Sequence, residues 1–332
     1  MIKSEIQQIG FLIFPGFPMA CLTSMIEPLR AANEIAGQVR FGWKLVSEDG
    51  SKVTSSAEVS FEPDCALAEA QALDVLFLLS SPGSRFVHEK ASNGILRGLE
   101  RHGVTLGGIS GGVFPLVRSG VMERQRCSVH WCYEAAFRAE FPQVDAADEV
   151  IVTSGRCHTA SGAAAAFDLA LRMVEEVFGA DVAHEVACWF QHPMMRGEGV
   201  RQRIPMLESP DARFPDLVAR AAALFSRHIE ETTSINEVAE ALAVSPRQIE
   251  RAFKKATGQS PSHYYRALRM KAARQLVLYS KDSFADVAAA VGYASTTPLK
   301  AHYSAAFGVS PQEDRDRINS FRVRDNIPVP SV

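Results

Sequence analysis

The sequence predicts an α/β domain, in which a parallel sheet is sandwiched by helices, followed by an all-α domain. Three observations lead to this fold class. Short apolar runs alternate with helical patterns over residues 8–192, the strand pattern ends before Pro215, and the helical remainder contains one segment twice. The length of 332 residues exceeds the ~100–200 residues of one typical domain, so we expect two separate cores.

Four apolar runs in the first domain have the length of buried strands. They are Ile9–Phe14, Phe41–Val46, Val75–Leu79 and Val104–Ile109. Helical patterns over about Ile26–Ala36 and Phe86–His102 alternate with them. This alternation is typical of a flavodoxin-like sheet, in which helical crossovers join parallel strands.

A hairpin and two helices complete the first domain. The hairpin is predicted to pair Glu149–Thr153 with Arg156–Thr159. An alanine-rich helix follows from Ser161, its predicted N-cap, to about Phe178, and another helix covers about Ala180–Phe190. We therefore expect the α/β domain to span residues 8–192.

The two domains are expected to be joined by a linker and to differ in charge. Residues 193–213 contain three prolines and two glycines, which is typical of a linker, so the second domain covers 214–320. The net charge of −3 is divided unevenly, because Arg213 to Ser320 holds 15 Lys and Arg against 11 Asp and Glu, whereas the rest of the chain holds 20 against 27. Only the second domain is basic, which is a modest indication of an acidic partner.

Composition and cysteine usage exclude several classes of protein. A chain that is 47% hydrophobic and 22% charged is globular, and is neither wholly disordered nor collagen-like. No apolar run approaches the ~20 residues that span a bilayer and the start has no signal-peptide pattern, so we expect a cytoplasmic protein without a membrane partner. The six cysteines show no C-x-x-C spacing, so we expect free, mostly buried thiols and neither a metal nor another cofactor.

A period of 49–50 residues relates two segments of the helical domain. The first copy runs from Val238 through Ser245-Pro246 and Phe253 to Gly258–Pro261, and the second from Val287 through Ser295-Thr296 and Tyr303 to Gly308–Pro311. In each copy apolar residues at i, i+3, i+4 and i+7 precede a tight turn and a second helix. This is helix-turn-helix geometry, so the all-α domain is predicted to be a tandem helix-turn-helix domain.

The second helix of the first copy has the composition of a helix that reads a DNA major groove. Ser245 is predicted to cap it, with Gln248 completing a capping box. Its candidate DNA-binding residues are Arg247, Gln248, Arg251, Lys254 and Lys255. Arginine can pair with guanine and glutamine with adenine, whereas lysines suit phosphates. Gln248 could equally serve the cap alone.

The second copy has a weaker set of candidate DNA-binding residues. They are Ser295, Thr296, Thr297 and Lys300. Because this set lacks arginine, we expect it to contact the DNA backbone more than the bases. Between the copies a helix over Pro261–Ser280 is predicted to hold the two reading helices about one DNA turn, ~34 Å, apart. Its inward residues are predicted to be Tyr265, Leu268, Ala272 and Leu276, and its outward residues Arg266, Arg269, Lys271 and Arg274.

These motifs resemble the AraC/XylS DNA-binding domain. The residues that match its pattern are Ser245–Phe253, Gly258–Tyr265, Ala273-Arg274 and Phe284–Pro311. The resemblance implies that the protein binds double-stranded promoter DNA and regulates transcription. An activator, the role that we expect, would also contact RNA polymerase.

In the first domain, the strand that ends at Ile109 runs into Ser110-Gly111-Gly112. A strand followed by such a turn and a helix can present a nucleophile at its elbow, here Ser110. With Glu27–Asn33 and Val129-His130-Trp131, this segment resembles the class I glutamine amidotransferase-like (ThiJ/PfpI) domain of GlxA-type regulators. The enzymes of that superfamily have cysteine, often followed by histidine, where this chain has Ser110 and Gly111. The resemblance therefore implies a domain without catalytic residues that senses a ligand and forms a homodimer.

The elbow is a candidate site for a small-molecule effector, because backbone N–H groups at a helix start can bind a carboxylate. The candidate ligand-binding residues are Ser110, Gly111, Gly112, His130, Trp131 and Glu27. Trp131 and Trp189 could face a quaternary ammonium group, and the resemblance to GlxA-type regulators implies an amino acid or a quaternary amine. The alternative is an amidase or deglycase-like hydrolase, in which Ser110 would need His130 as its base. Cys157 and His158 are adjacent on a predicted strand and therefore face opposite sides, which disfavours a catalytic pair.

Overall fold

The computed structural model describes residues 6–322, except 71, 123, 124, 193–195, 198, 203–213 and 281. The described residues fall into two compact units that divide after Gln202. Much of the predicted linker, 193–213, lies outside the described residues, and its described part from Arg196 to Gln202 belongs to the first unit. Among the described residues no helix has the length and apolar character that a bilayer span requires.

The first unit contains eleven strands in its described residues. They are β1 (Gln7–Ile13), β2 (Phe41–Ser47), β3 (Val53–Thr54), β4 (Ser60–Phe61), β5 (Cys65–Ala66), β6 (Val75–Ser80), β7 (Thr105–Ser110), β8 (Arg126–Ser128), β9 (Asp145–Ala147), β10 (Ile151–Ser154) and β11 (Cys157–Ala160). Seven form one sheet in the order β10-β11-β7-β6-β1-β2-β5, with only β10 antiparallel to its neighbour. The predicted flavodoxin-like parallel sheet is confirmed.

The described residues of the first unit also include six α-helices. They are α1 (Met19–Ile35), α2 (Glu89–Arg101), α3 (Val113–Arg118), α4 (Glu134–Glu140), α5 (Ala163–Phe178) and α6 (Ala180–Trp189). α1, α5 and α6 pack together over one face of the sheet, where Ile9, Phe11 and Ile13 of β1 enter their core. The carboxyl ends of β6 and β7 meet α3, which places the predicted elbow at this edge of the sheet.

Two predicted helix starts were wrong. α1 begins at Met19 rather than near Ile26, because Cys21 and Leu22 already pack in the core. Its N-cap is Pro18, whose side chain cannot cap, so no capping residue marks the start. The N-cap of α5 is Gly162 rather than Ser161. The N–H of Ser161 donates to the Val150 carbonyl at 2.9 Å, so this residue still belongs to the sheet edge.

The predicted hairpin is present as β10 and β11, with Ser154 paired to Cys157. Cys157 is buried, and burial raises the pKa of its thiol to about 11. His158 instead bonds through Nδ1 to Thr153 Oγ1 at 3.2 Å. The prediction that these two neighbours face opposite sides is confirmed. All six cysteines are free thiols, and four of them are buried.

The second unit consists of helices in its described residues. They are α7 (Asp216–Arg227), α8 (Ile235–Ala241), α9 (Pro246–Thr257), α10 (Pro261–Tyr279), α11 (Phe284–Ala290), α12 (Thr296–Phe307) and α13 (Pro311–Arg322). One core holds Ile249 and Phe253 of α9, and the other holds Leu299 and Tyr303 of α12. The helix pairs α8–α9 and α11–α12 confirm the predicted tandem helix-turn-helix domain.

The long helix α10 contributes to both cores. Tyr265 and Leu268 pack in the first and Ala272 in the second, while Leu276 is half-buried against the second. Among the predicted outward residues, Arg266 and Lys271 are exposed. The prediction was wrong for Arg269 and Arg274, because both side chains are half-buried and bond to neighbouring elements. The guanidinium of Arg274 pairs with the buried Asp314 carboxylate at 2.7 Å.

Candidate DNA-reading helices and ligand site

The start of α9 is fixed by the predicted capping box. Ser245 Oγ accepts the Gln248 N–H at 3.3 Å, and Gln248 Oε1 accepts the Ser245 N–H at 2.8 Å. Pro246 occupies the first helical position, where its missing N–H costs nothing. The side chain of Gln248 is thus engaged in the cap although the residue is exposed, so a base contact would require it to leave the cap.

The face of α9 opposite its core carries the candidate DNA-binding arginines. Arg247, Arg251 and Lys255 are all exposed and follow one another at i, i+4 and i+8, so they form a basic stripe along the helix. The buried side consists of Ile249 and Phe253. This division leaves the stripe exposed while the opposite side holds the helix in place.

Lys254 has a structural partner at the end of the same helix. Its Nζ donates to the Gly258 carbonyl at 3.0 Å. Gly258 has φ +74° as the C-cap of α9, a conformation that glycine adopts without strain. The positive charge of Lys254 also lies at the negative end of the helix dipole.

The second reading helix, α12, is held differently from α9. Ser295 is its N-cap residue, but the serine side chain makes no capping hydrogen bond. Thr297 and Lys300 are exposed and Thr296 is half-buried. The Nζ of Lys300 lies 5.8 Å from the centre of the Phe284 ring. α12 therefore presents hydroxyl groups and one lysine.

Arg269, from the middle of α10, holds the turn of the second copy, a role that the sequence did not indicate. Its Nε donates to the Val291 carbonyl and its Nη2 to the Gly292 carbonyl, at 2.8 and 2.6 Å. Its guanidinium also stacks on Tyr293, 4.2 Å from the ring centre. Tyr293 Oη in turn bonds to His302 Nδ1 of α12 at 2.9 Å. This chain of contacts fixes the second reading helix to the helix between the copies.

Ser110 is the last residue of β7 and has the backbone strain expected at an elbow. Its φ is +56° and its side chain is fully buried. A Cβ atom on Gly111 would overlap the Ser80 carbonyl, and one on Gly112 would overlap the Leu78 carbonyl. The turn therefore admits only glycine at these two positions.

One hydrogen bond corrects the expected chemistry of the elbow. The Gly112 N–H donates to the Ile109 carbonyl at 2.9 Å, so the turn itself uses one of the donors that were expected to face a ligand. A second polar group lies beside the elbow on the neighbouring strand. Ser80 pairs in register with Ser110, is fully buried, and among the described residues its hydroxyl has no hydrogen-bond partner.

The geometry of His130, on the loop after β8, determines which of its nitrogens carries the proton. Nδ1 accepts the Cys132 N–H at 3.3 Å and lies 2.9 Å from Cys132 Sγ. Because a backbone N–H can only donate, Nδ1 is unprotonated and Nε2 carries the hydrogen. Burial lowers the pKa of His130 to about 4, so the ring is neutral at pH 7 and offers a donor at Nε2. Its Cδ2 edge lies over Gly162, 3.4 Å from where a Cβ would be.

The structure brings some candidate ligand residues together and separates others. The rings of His130 and Trp131 have their centres 5.2 Å apart. Glu27 instead lies on α1 in an ion pair with Arg30 at 3.0 Å, with 42% of its side chain exposed. Trp189 is 53% exposed on α6. Glu27 and Trp189 therefore have surface positions, while His130 and Trp131 form one half-buried aromatic pair.

Sequence reasoning also missed Gln202, whose side chain bonds to both sides of His130. Gln202 Oε1 accepts the Trp131 N–H at 2.9 Å, and Gln202 Nε2 donates to the Val129 carbonyl at 2.7 Å. No motif marks this glutamine, because its partners lie about seventy residues earlier in the chain. The composition of the segment 193–213 predicts only that this glutamine belongs to a linker.

Comparisons with known proteins agree with this two-part architecture. Residues 9–176 match the DJ-1/PfpI family and residues 238–317 match a helix-turn-helix domain family. The chain is 31% identical over 309 residues to the HTH-type transcriptional regulator GbdR of Pseudomonas aeruginosa, covering 93% of this chain and 84% of that protein. It is 30% identical over 304 residues to the HTH-type transcriptional regulator GlxA of Rhizobium meliloti, covering 91% and 92%.

The chain belongs to this family of regulators. It joins a DJ-1/PfpI domain to an AraC-type helix-turn-helix domain, as the resemblances in the sequence implied. Over 182 residues it is also 26% identical to the isonitrile hydratase of Pseudomonas putida, covering 54% of this chain and 75% of that enzyme. The crystal structure of an AraC family transcriptional regulator from Pseudomonas putida superposes with a TM-score of 0.51 at 23% identity, covering 55% of this chain and 99% of that one, which shows the shared fold.

Proposed function

We propose that this regulator binds promoter DNA sequence-specifically through α9 and that α12 adds contacts to the DNA backbone. The observation that carries the proposal is the basic stripe of Arg247, Arg251 and Lys255 on a capped helix whose other side is core. Two arginines at this spacing can reach guanine edges in one major groove. The hydroxyl groups and the lysine of α12 suit phosphates, which position a protein without reading sequence.

Binding of the full chain to DNA from its own genomic neighbourhood tests this proposal. The promoter duplex and a scrambled duplex of the same composition are compared at one salt concentration. Affinity for the promoter at least about a thousandfold higher is expected of a specific regulator. Equal affinity for both duplexes would contradict sequence-specific regulation.

The proposal assigns effector binding to the first unit. The side-chain groups that support it are the Nε2–H donor of His130, the aromatic face of Trp131 and the hydroxyl of buried Ser80, which has no hydrogen-bond partner in the described part of the chain. A donor suits a carboxylate, and an indole face suits a quaternary ammonium group. A quaternary amine such as betaine or carnitine carries both a carboxylate and a quaternary ammonium group, and an amino acid carries a carboxylate and an ammonium group. Ser110, Gly111 and Gly112 would form the wall of the site, whereas Glu27 would contribute only from the surface.

The effector is tested by titrating the full chain with arginine, glycine betaine and carnitine. Trp131 supplies the signal, since a cation over its indole changes the fluorescence of the ring. Trp131→Phe removes that signal, and Trp189→Phe is the matched control. A saturable signal for one compound, lost only in Trp131→Phe, supports the assignment. No response to any of the three would contradict it.

The remaining parts of the proposal concern assembly and regulatory direction. We propose a homodimer formed through the first unit, activation of transcription through contact with RNA polymerase, and a place in the cytoplasm, where the promoter is. Sedimentation tests the dimer. Transcription from the promoter with purified RNA polymerase tests activation, because a repressor would lower the yield of transcript.

The isonitrile hydratase relative supports an enzyme as the second candidate, and the elbow motif makes this an amidase or deglycase-like hydrolase with Ser110 as the nucleophile. The geometry of His130 disfavours it, because Nδ1 is occupied by Cys132 and Nε2 carries a proton, so neither nitrogen is a ready base. Covalent labelling of Ser110 by an acyl-directed probe would support catalysis. Turnover unchanged in Ser110→Ala would reject it.

A further inference from the structure

The end of the first unit forms an exit strap, which we define as the described residues from Arg196 to Gln202. The strap runs antiparallel to the segment before β10. Val150 N–H donates to the Val200 carbonyl at 2.8 Å, and Gln202 N–H donates to the Asp148 carbonyl at 2.7 Å. Glu149 and Arg201 form the bridge between these bonds. The strap therefore pairs with the segment that leads into β10, an edge strand of the sheet.

The beginning of the exit strap is anchored to a buried carboxylate on α5. Asp168 is completely buried. Its carboxylate accepts hydrogen bonds from the side-chain Nε–H of Arg196 at 2.6 Å and from the backbone N–H of the same residue at 3.2 Å. His192 Nε2 lies 2.7 Å from the same carboxylate. A buried carboxylate without partners costs several kcal/mol. The contacts with Asp168 therefore hold the beginning of the strap in place.

The far end of the exit strap bonds to the loop that carries His130. Gln202 uses both ends of its side-chain amide, accepting from Trp131 and donating to Val129 and, at 3.3 Å, to the Glu149 carbonyl. A hydrogen bond on each side of His130 restricts how far this loop moves while the strap stays in place. Any displacement of the loop must break these bonds or carry Gln202 with it.

We propose that Gln202 is the positioning residue of the His130–Trp131 loop and that it transmits the state of this loop to the chain that leads to α7. The inference rests on the proposed effector site. An effector that binds one position of the loop more tightly would shift the population of strap-bound and strap-released states. Because the two compact units divide after Gln202, release of the strap changes the point from which the chain leaves the first unit. Coupling of this kind is reciprocal, so promoter DNA would change effector affinity by the same factor.

The test uses the full chain, first without effector. Gln202→Ala removes both the acceptor for the Trp131 N–H and the donor to the Val129 carbonyl. Gln202→Glu keeps an acceptor for Trp131 and loses the donor to Val129. Gln191→Ala is the matched control, because Gln191 is exposed and, among the described residues, its side-chain amide bonds locally to the Cys188 carbonyl at 2.9 Å. Amide hydrogen exchange at Trp131 and the affinity for the promoter duplex are measured for each variant.

In Gln202→Ala, exchange at Trp131 is expected to rise about tenfold, the value of one lost hydrogen bond. The affinity for the promoter duplex is expected to change by about tenfold or more, which is the size of a typical allosteric coupling between two sites. Gln202→Glu should keep Trp131 protected and shift promoter affinity less, and Gln191→Ala should match the wild type in both measurements. A tenfold change in promoter affinity together with loss of Trp131 protection supports the inference.

Two results would overturn the inference while leaving the proposed function intact. In one, exchange at Trp131 is unchanged in Gln202→Ala, so the glutamine does not hold the loop. In the other, the loop is released but promoter affinity equals that of Gln191→Ala, so the loop is not coupled to DNA binding. Failure of the proposed function is recognised separately, because the wild-type chain would then show no preference for the promoter, and this result would overturn the inference as well.

Discussion

Arg269 donates two hydrogen bonds to consecutive carbonyls at the turn of the second copy, one of them to Gly292 at 2.6 Å. Gly292 has φ +71°, and its Cα lies against the segment that precedes α8. The turn of the second helix-turn-helix copy is therefore packed between α10 and the segment that leads into the first copy. This contact makes the spacing of α9 and α12 a property of the folded unit.

Gly292→Ala is predicted to destabilise the second unit more than the same substitution at a glycine that has a positive φ and open space around it. A Cβ at this position would lie 2.5 Å from Thr232 Cγ2 and 2.7 Å from the Glu230 carbonyl oxygen. Gly308→Ala is the matched control, because its φ is +74° and no atom of the described residues lies within 4 Å of its Cβ position. The control is expected to cost about 1–2 kcal/mol, because alanine is strained at a left-handed φ, and Gly292→Ala is expected to cost about 1–3 kcal/mol more because of the overlap. Equal losses in far-UV circular dichroism melts would contradict the close packing.

Arg251→Ala is predicted to weaken binding to the promoter by about 1–3 kcal/mol and binding to scrambled DNA much less. The reason is that Arg251 lies on the exposed stripe of α9, where it can pair with a base. Arg220→Ala on α7 is the control, since that arginine forms an exposed ion pair with Asp216. Competition binding at fixed salt measures both effects. Equal weakening on the two duplexes would make Arg251 a phosphate contact.

The cap of α9 predicts a stability effect that is separate from DNA binding. Ser245→Ala removes the acceptor of the Gln248 N–H and is expected to lower the free energy of unfolding of the second unit by ~1 kcal/mol. Ser245→Asn supplies another good capping residue and should retain most of the stability. Thermal melts in the absence of DNA provide the comparison, and similar melting temperatures for both variants would refute the role of the cap.

The lowered pKa of His130 predicts how the stability of the first unit depends on pH. In the unfolded chain an imidazole gains a proton near pH 6.5, but in the folded state the pKa of about 4 keeps it neutral. Protons therefore favour the unfolded chain as the pH falls from about 6.5 to 4, and His130 removes up to about 3 kcal/mol of stability over that range. Above pH 7 both states are neutral and the effect vanishes.

His130→Gln should reduce this loss of stability at acid pH, whereas His102→Gln should not, because His102 is exposed at the end of α2. Tryptophan fluorescence follows the first unit alone, since all three tryptophans precede residue 190. Unfolding is compared at pH 7 and pH 5. Parallel pH profiles for the wild type and His130→Gln would contradict a buried neutral ring.

Local patterns predicted much of the fold and part of the candidate sites. The parallel strands, the elbow at Ser110 and the capping box of Ser245 follow from signals within a few residues of each other. Long-range contacts were not predictable in this way. Arg269 was expected to face outward because helical spacing places it on a polar side, yet the carbonyls of Val291 and Gly292 give its guanidinium a partner on another element.

The strap residue Gln202 shows the same limit in a loop. The segment around Gln202 has the composition of a linker. Only the fold brings this glutamine to Val129 and Trp131. Conversely, Ser161 has the right side chain for an N-cap, but the sheet already uses its backbone N–H. Residue preferences describe local geometry, whereas these positions are determined by bonds between distant segments.

A salt titration of the full chain on promoter and scrambled duplexes tests the central claim most directly. The logarithm of the binding constant should fall linearly with the logarithm of salt concentration on both duplexes, because basic side chains displace counterions from phosphates. At every salt concentration the promoter should bind orders of magnitude more tightly. Equal and weak binding to the two duplexes would contradict the account of this chain as a sequence-specific regulator.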